Sequence, residues 1–570
     1  MSDQSVSDEF VRNIEDLLVK GKISEVILLF SASENTAKIS RCSCELISTL
    51  IKHLKDVDTN SELFLNTKKL LNAVIVMSCP EETVLQILEE IEEADSDIKF
   101  QALLEPLLLV LSKIRKKKSL FLAWALNAVH KYFLKYAIPE PANLQGKEKM
   151  LLDDNDETKA INEIYKTVLG FYEKLNLDFL DDLEFLEETS FMRLKFLIQL
   201  LGRPLVYLDV ETFDDFKSKA RLLSESIIFV IFQLRTDPVS LIDNCFNDSD
   251  DDLRISKADL ASLYYLVYTE GISIYGTPRV YHPVYFFQKS LFLATTFLKV
   301  SHDIVVEKGL KLAMTFLGHL KHIQLPYILL DSDDHEEFCR ALSDVIVYNE
   351  KESLRKLGLN VYTVYLSSFE TRGFYLLIYH LMSIVTHSGL RGYSITLYKN
   401  LVVKEFQTQK DPSEFSVYVK GKKLLSLLKR FCTLNEDSDL ADLSDEIIAS
   451  LNFLRYLTIR DTENITGIWD YLPVIDKTYL QVLRRAIEVS RTSYKFQIME
   501  IEKERDLSKK ADLDIMVKGE SLSQLSKSEK IQRLNQVWTV FDVIDSILSR
   551  LQQCIDAGKI CLNENKTKQN

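Results

Sequence analysis

Glycine and proline are scarce in this sequence, with 16 and 11 copies among 570 residues. The two residues together usually make up about 12% of a globular protein. Because they interrupt regular elements and mark turns, their scarcity favours long helices joined by short links. The composition therefore predicts an all-α fold.

Long apolar runs are also missing. The best candidate, "LLEPLLLVL" at 103–111, is interrupted by Glu105 and falls short of the roughly 18–20 residues that span a bilayer. The first residues, "MSDQSVSDEF", lack the positive and apolar regions of a secretory signal. The eight cysteines are scattered, and only Cys42 and Cys44 lie close together, which is typical of reduced thiols. We expect a cytoplasmic protein, with the nucleus left open as a second location.

Positive charge is in deficit, since the formal net charge is −14 and the pI is about 5.3. Such a charge repels phosphate backbones and anionic lipids, so we expect neither nucleic acid nor membrane as a partner. One basic run, "KIRKKKS" at 113–119, departs from this trend. It has the composition of a nuclear-localisation or phosphate-binding patch, but a solvated helix end is favoured, because cations stabilise the negative pole of a helix.

What the sequence does contain is one helical pattern after another. Apolar residues recur at steps of three and four, which places them on one helical face. Two stripes show the pattern clearly: Ile447, Leu451, Leu454 and Leu457; and Val537, Phe541, Ile544, Leu548 and Leu551. Each helix buries such a stripe only against a neighbour, so stacked helical hairpins are expected. Since no strict sequence period emerges, we predict an irregular HEAT-like array.

Composition breaks divide this array into two halves. An acid-rich turn, "FNDSDDD" at 246–252, marks the predicted boundary, and two other segments are expected to be irregular: a loop at 138–158 and a short extended excursion within 509–529. The predicted organisation is an N-terminal array at 1–245, an acidic linker at 246–257, a C-terminal array at 258–560 and a polar tail at 561–570.

Catalytic and metal-binding patterns are absent from the sequence. Asp248, Asp250 and Asp252 have the spacing of a calcium loop, but Leu253 occupies the place where the loop needs glycine. His319 and His322 have no further ligands in a zinc-binding pattern and are interpreted as solvated. Because no phosphate cradle or nucleophile motif occurs either, we expect a non-enzymatic binding scaffold without cofactor or metal.

The C-terminal part carries a resemblance to a known family. The stretches "IIASLNFLRYLTIRDTENITGIW", "VSRTSYKFQI", "VKGES" and "FDVIDSILSRL" resemble the C-terminal region of the glomulin family, also called FKBP-associated proteins. Similar segments continue upstream, including "ASLYYLVYTEGI" at 261–272 and "LLEPLLLVLSKI" at 103–114. The resemblance covers most of the chain and is strongest over 444–557.

The resemblance implies a non-enzymatic inhibitor of cullin-RING ubiquitin ligases. In that family the C-terminal array binds the RING subunit, together with its cullin, and masks the docking face for the ubiquitin-conjugating enzyme. The family is also linked to an FK506-binding immunophilin. The alternative left open is a generic HEAT-type adaptor of the nuclear-transport or phosphatase-regulatory kind, which would have a similar composition.

Candidate partner-binding residues lie in two places near the C-terminus. The first is the turn after a helix, where a rare glycine and a rare tryptophan come together; the candidates are Arg455, Arg460, Asp461, Asn464 and Trp469. Arginine and tryptophan are enriched at interface hot spots, but Trp469 would also serve to pack under the helix end. The second is a strip on one helical face, Arg484, Arg491 and Tyr494. A helix simply paired with its neighbour would show the same pattern.

Overall fold

A computed structural model describes residues 3–54, 62–140, 144, 146–178, 183–213, 216–235, 237–246, 254–408, 413–434, 439–503, 516–517, 520–521 and 527–569. Helices dominate these ranges, so the all-α prediction is confirmed. Extended structure among them amounts to two antiparallel pairs of two-residue strands, β1–β2 and β3–β4, and one isolated bridge. The chain divides into two compact units, Met1–Phe316 and Leu317–Asn570.

The first unit contains the helices up to α15, which crosses the boundary. In order these are α1 Asp3–Val19, α2 Ile23–Ser31, α3 Thr36–Arg41, α4 Ser43–Leu54, α5 Glu62–Met77, α6 Pro80–Glu92, α7 Asp97–Lys113, α8 Lys118–Phe133, α9 Asp156–Asp178, α10 Leu183–Glu188, α11 Ser190–Leu200, β1 Thr212–Phe213, β2 Phe216–Lys217, α12 Lys219–Leu234, α13 Lys257–Tyr264, α14 Pro283–Leu298 and α15 Asp303–His319.

The second unit holds the C-terminal candidates. Its elements are α16 Asp333–Tyr348, α17 Glu352–Ser367, α18 Thr371–Ile384, α19 Ser388–Gln407, α20 Gly421–Phe431, α21 Ser444–Arg460, α22 Ile468–Ile475, α23 Gln481–Lys503, β3 Met516–Val517, β4 Glu520–Ser521 and α24 Lys527–Gln569. A π-helical turn, Asp476–Leu480, connects α22 to α23.

Helices pack mainly on the neighbours that follow them closely in the chain. In the first unit α4 contacts α5, α6 contacts α7 and α8, and α7 contacts α9. In the second unit α16 contacts α17, α19 contacts α21, and α21 and α23 both contact α24. Such nearest-neighbour packing of amphipathic helices builds a HEAT-like array, as the sequence predicts.

The acidic linker at 246–257 stays a prediction. The described residues of this range, 246 and 254–257, fall within the first unit, which ends at Phe316. Within the predicted linker, 247–253 lie outside the described residues, and with them Asp248, Asp250 and Asp252. Ser256 caps α13 by accepting a hydrogen bond from the Ala258 N–H at 3.3 Å. The last helix, α24, extends to Gln569 and so includes most of the segment that was predicted as a polar tail.

Two smaller predictions can be compared with local structure. The basic run 113–119 begins at the end of α7, where Lys113 Nζ donates to the Ile75 and Val76 carbonyls at 3.3 and 2.8 Å, in the last turn of α5. This contact fits the helix-end interpretation. Within 509–529, β3 and β4 form the expected extended excursion, and the rest of that segment lies outside the described residues apart from the start of α24.

Candidate protein-binding site

The turn after α21 is built around Asp461. Its side chain is 1% exposed, and its carboxylate accepts hydrogen bonds from the Ile465 and Thr466 N–H groups at 2.7 and 2.9 Å. The Thr466 hydroxyl also donates to it. The buried carboxylate stabilises the turn, because it accepts hydrogen bonds from backbone N–H groups that follow the end of α21. Asp461 therefore has an internal structural role.

Asn464 and Gly467 adopt left-handed backbone conformations in the same turn, with φ values of 58° and 81°. Glycine takes this conformation without a steric cost, and asparagine tolerates it better than most residues. The Asn464 side chain accepts from the Trp469 N–H at 3.1 Å and donates to Asp470 Oδ2 at 2.9 Å. Both residues thus shape the entry into α22.

Trp469 is half-buried and joins this turn to the last helix. Its indole Nε1 donates to the Asp461 carbonyl at 2.6 Å. Its ring lies directly against Gly558 of α24, where an added Cβ would be only 2.1 Å from ring atom Cη2. Trp469 and Gly558 therefore form a packing contact between α22 and α24.

We expect Gly558→Ala to destabilise the second unit. Alanine is favoured over glycine inside helices by about 1 kcal/mol, but overpacking at a filled contact costs about 1–3 kcal/mol. The matched control is Gly170→Ala in α9, where nothing lies within 4 Å of an added Cβ. Chemical denaturation should show a loss for Gly558→Ala and a small gain for Gly170→Ala. Equal gains would mean that the Trp469 ring moves aside freely.

The two arginines of α21 differ in their surroundings. Arg455 is half-buried, and its Nε has no hydrogen-bond partner among the residues that the structure describes. Arg460 is exposed at the end of the helix. Of the five candidates at the turn, Arg460 is the one that is exposed.

The strip on α23 faces α24. Arg484 Nη2 donates to Gln552 Oε1 at 2.7 Å, and Arg491 contacts the carboxylates of Asp542 and Asp545 at 2.6 and 3.3 Å. These three partners belong to α24. The arginines therefore pair two helices of one chain, which is the second alternative that the sequence pattern left open.

Tyr494 completes this helix pairing as a buried residue. It is 6% exposed, its hydroxyl donates to Asp439 Oδ2 at 3.1 Å, and its ring meets Phe541 edge-on at 5.3 Å between centroids. Burial raises the pKa of Tyr494, and the negative charge of Asp439 adds to the increase. Contact of Arg484, Arg491 or Tyr494 with another protein stays a prediction, and for Tyr494 it would require that helices separate.

Sequence reasoning missed a surface that the structure makes visible. We call it the basic–tyrosine face and define it by four cation–ring pairs: Arg372 on Tyr327, Arg430 on Tyr379, Lys423 on Tyr375 and Lys429 on Tyr471. A signal was present in the sequence. Residues 415–434 contain five basic residues and no acidic one, although the chain as a whole is acidic.

Metal sites and membrane-spanning helices are both missing from the residues that the structure describes. Among them, no cluster of three or more His, Cys, Asp or Glu side chains is arranged to hold a metal ion. None of the helices described combines the length and apolar character needed to cross a membrane.

Comparison with known proteins gives consistent matches. The sequence profile of a family described as "Uncharacterised protein family, YAP/Alf4/glomulin" matches residues 207–552. The chain is 26% identical to mouse glomulin over 571 aligned residues, which cover 96% of this chain and 92% of the mouse protein. It is 25% identical to human glomulin over 561 residues, with 94% and 91% of the two chains covered.

Proposed function

Because the chain belongs to the YAP/Alf4/glomulin family, we propose that it is a non-enzymatic inhibitor of cullin-RING ubiquitin ligases. In this proposal it binds the RING subunit and masks the face on which the ubiquitin-conjugating enzyme docks. The observation that carries the proposal is the similarity to two glomulins across more than nine-tenths of the chain.

The mechanism requires only a stable surface. A specific protein–protein interface buries about 1,600 Å² in total, and a rigid scaffold avoids the entropy of ordering loops on binding. The second unit supplies rigidity through contacts such as Trp469 on Gly558 and Arg491 on two aspartates of α24. An inhibitor of this kind competes with the conjugating enzyme and performs no chemistry on either protein.

The proposal predicts competitive inhibition in a reconstituted ubiquitin-transfer reaction. The full-length chain should block transfer by a cullin–RING complex, and the concentration needed for half inhibition should rise linearly with the concentration of conjugating enzyme. A single-chain RING ligase without a cullin is the control and should keep its activity, as should the loading of the conjugating enzyme with ubiquitin.

Other results would contradict the proposal. Inhibition that does not change with the concentration of conjugating enzyme would argue against a masked docking face. A chain that neither inhibits transfer nor binds the purified cullin–RING complex would overturn the proposed function. Capture of a transport cargo or a phosphatase subunit instead would favour the adaptor alternative.

A further inference from the structure

The cations of the basic–tyrosine face rest on aromatic rings rather than on carboxylates. The Arg372 and Arg430 guanidinium groups lie 3.4 and 3.7 Å from the Tyr327 and Tyr379 ring centroids. Lys423 and Lys429 lie 5.7 and 5.8 Å from the rings of Tyr375 and Tyr471. A ring attracts and orients a cation but leaves its net charge uncompensated.

No described carboxylate forms an ion pair with any of these four side chains. Three other arginines of the second unit, Arg391, Arg340 and Arg491, are instead paired with acids. Arg430 also donates to the Ser383 hydroxyl, and its nearby guanidinium lowers the pKa of Tyr379. The face therefore combines fixed positive charge with well-positioned aromatic rings.

The pairs belong to one continuous region of the second unit. Arg372 and Tyr379 lie seven residues apart on α18, which puts them on one helical side, and Tyr379 and Tyr375 connect α18 to the cations of α20. Lys429 then connects α20 to α22 through Tyr471. Arg372, Lys423 and Lys429 are exposed.

Exposed apolar side chains stand beside these pairs. Leu376 lies on the same side of α18 as Arg372 and Tyr379, and it is 36% exposed. Val417 precedes Tyr418, whose ring lies 5.3 Å from Tyr375, and Val474 follows Tyr471 by one helical turn; they are 60% and 44% exposed. Tyrosine and arginine with adjoining apolar residues are the composition of protein–protein hot spots.

We propose that the basic–tyrosine face docks onto a carboxylate-rich surface of the RING–cullin assembly, an inference that rests on the proposed function. A chain of net charge −14 repels an acidic partner at long range. A local patch of opposite sign orients the partner on approach and raises the association rate. The tyrosine rings and apolar neighbours then supply the contact area that charge alone does not.

The occupant that the face fits is a protein rather than a nucleic acid. Nucleic-acid affinity comes from neutralising many phosphates along an extended track, and the overall acidity of this chain opposes it. Four cations interleaved with tyrosines and aliphatic side chains suit a compact acidic surface with an apolar part.

The test reverses two charges on the face without touching the core. The variant Lys423→Glu with Lys429→Glu changes two exposed residues of α20, and the matched control is Lys321→Glu with Lys356→Glu, two exposed lysines elsewhere in the unit. Both pairs alter net charge equally. Affinity for a purified cullin–RING complex is measured for each full-length protein at low and high salt, after thermal unfolding has shown that the variants remain folded.

We expect the face variant to bind at least about tenfold more weakly and the control pair to bind like the unaltered chain. The unaltered chain should also lose affinity as salt rises, and the face variant should respond less. If the unaltered chain binds and the face variant binds equally well, the inference fails while the proposed function stands. If the unaltered chain does not bind the complex, both fail.

A separate arm distinguishes a polyanion from an acidic protein. A short double-stranded DNA is offered to the unaltered chain and to the face variant under the same salt conditions. The inference expects no binding to this probe at physiological salt. If the unaltered chain binds the DNA, the face variant does not, and both bind the cullin–RING complex equally well, the face is a nucleic-acid site. That result would overturn the inference.

Discussion

Replacement of Glu446 by alanine is expected to lower the unfolding free energy of the second unit by about 3–5 kcal/mol, because it leaves a charged guanidinium without its partner in a partly buried position. Arg391 of α19 donates through Nε and Nη2 to the two oxygens of Glu446 in α21, at 2.7 Å each. The side chains of Arg391 and Glu446 are only 20% and 8% exposed.

The surrounding contacts explain why the site cannot relax easily. Arg391 Nη1 also donates to the Met382 and Val385 carbonyls at the end of α18, so three helices meet at one side chain. Gly392 brings the backbones of α19 and α21 close together, since an added Cβ there would lie 2.7 Å from the Asp445 carbonyl oxygen. The two backbones are therefore already in contact and cannot move closer to fill the space that the carboxylate leaves.

Chemical denaturation, with hydrogen exchange followed in α19 and α21, measures this effect. The control is Glu352→Ala, which removes a carboxylate from a fully exposed pair with Lys356 on α17 and should leave stability unchanged. A loss of stability confined to Glu446→Ala, with faster exchange in both helices, is the expected pattern. Similar behaviour of the two variants would mean that the Arg391–Glu446 pair is as solvated as a surface pair.

The helices themselves were predictable because their signal is local. The stripe Ile447, Leu451, Leu454 and Leu457 is buried on α21, and the stripe from Val537 to Leu551 is buried on α24, as the periodicity predicts. The helical period determines which residues share a face, and a face of apolar residues is stabilised by burial against a neighbouring helix. A glycine in the short turn after a helix is likewise a local signal for a left-handed conformation, and Gly467 adopts that conformation.

The candidate site was harder to predict because its contacts join distant parts of the chain. Periodicity places Arg484, Arg491 and Tyr494 on one face of α23, but it does not say that the face meets α24 more than fifty residues later. The same holds for Trp469, whose neighbour Gly558 looks from sequence like any helical glycine. The boundary between the two compact units is difficult to predict for the same reason. An acid-rich turn indicates a loop, but it does not indicate which helices pack together on either side of that loop.

Tyr494→Ala is expected to destabilise the second unit by about 3–5 kcal/mol, as truncation of a buried aromatic side chain does. The substitution removes the ring that packs on Phe541 and leaves the Asp439 carboxylate without its hydroxyl donor. Tyr494→Phe keeps the ring and loses only that hydrogen bond, so about 1 kcal/mol is expected. Thermal and chemical unfolding of the two variants measure the separate contributions of ring and hydroxyl.

Arg491 provides the matched comparison on the same helix. Its side chain is 28% exposed, and its partners Asp542 and Asp545 are 56% and 45% exposed. Such pairs contribute about 1 kcal/mol or less, so Arg491→Ala should remain folded.

Affinity for the cullin–RING complex then separates the two interpretations of the strip. If α23 serves only to pair with α24, Arg491→Ala binds normally and Tyr494→Ala loses binding in step with its loss of folded protein. A fully stable Arg491→Ala variant that fails to bind would place the strip at the interface, because only a contact made outside the chain could then have been lost.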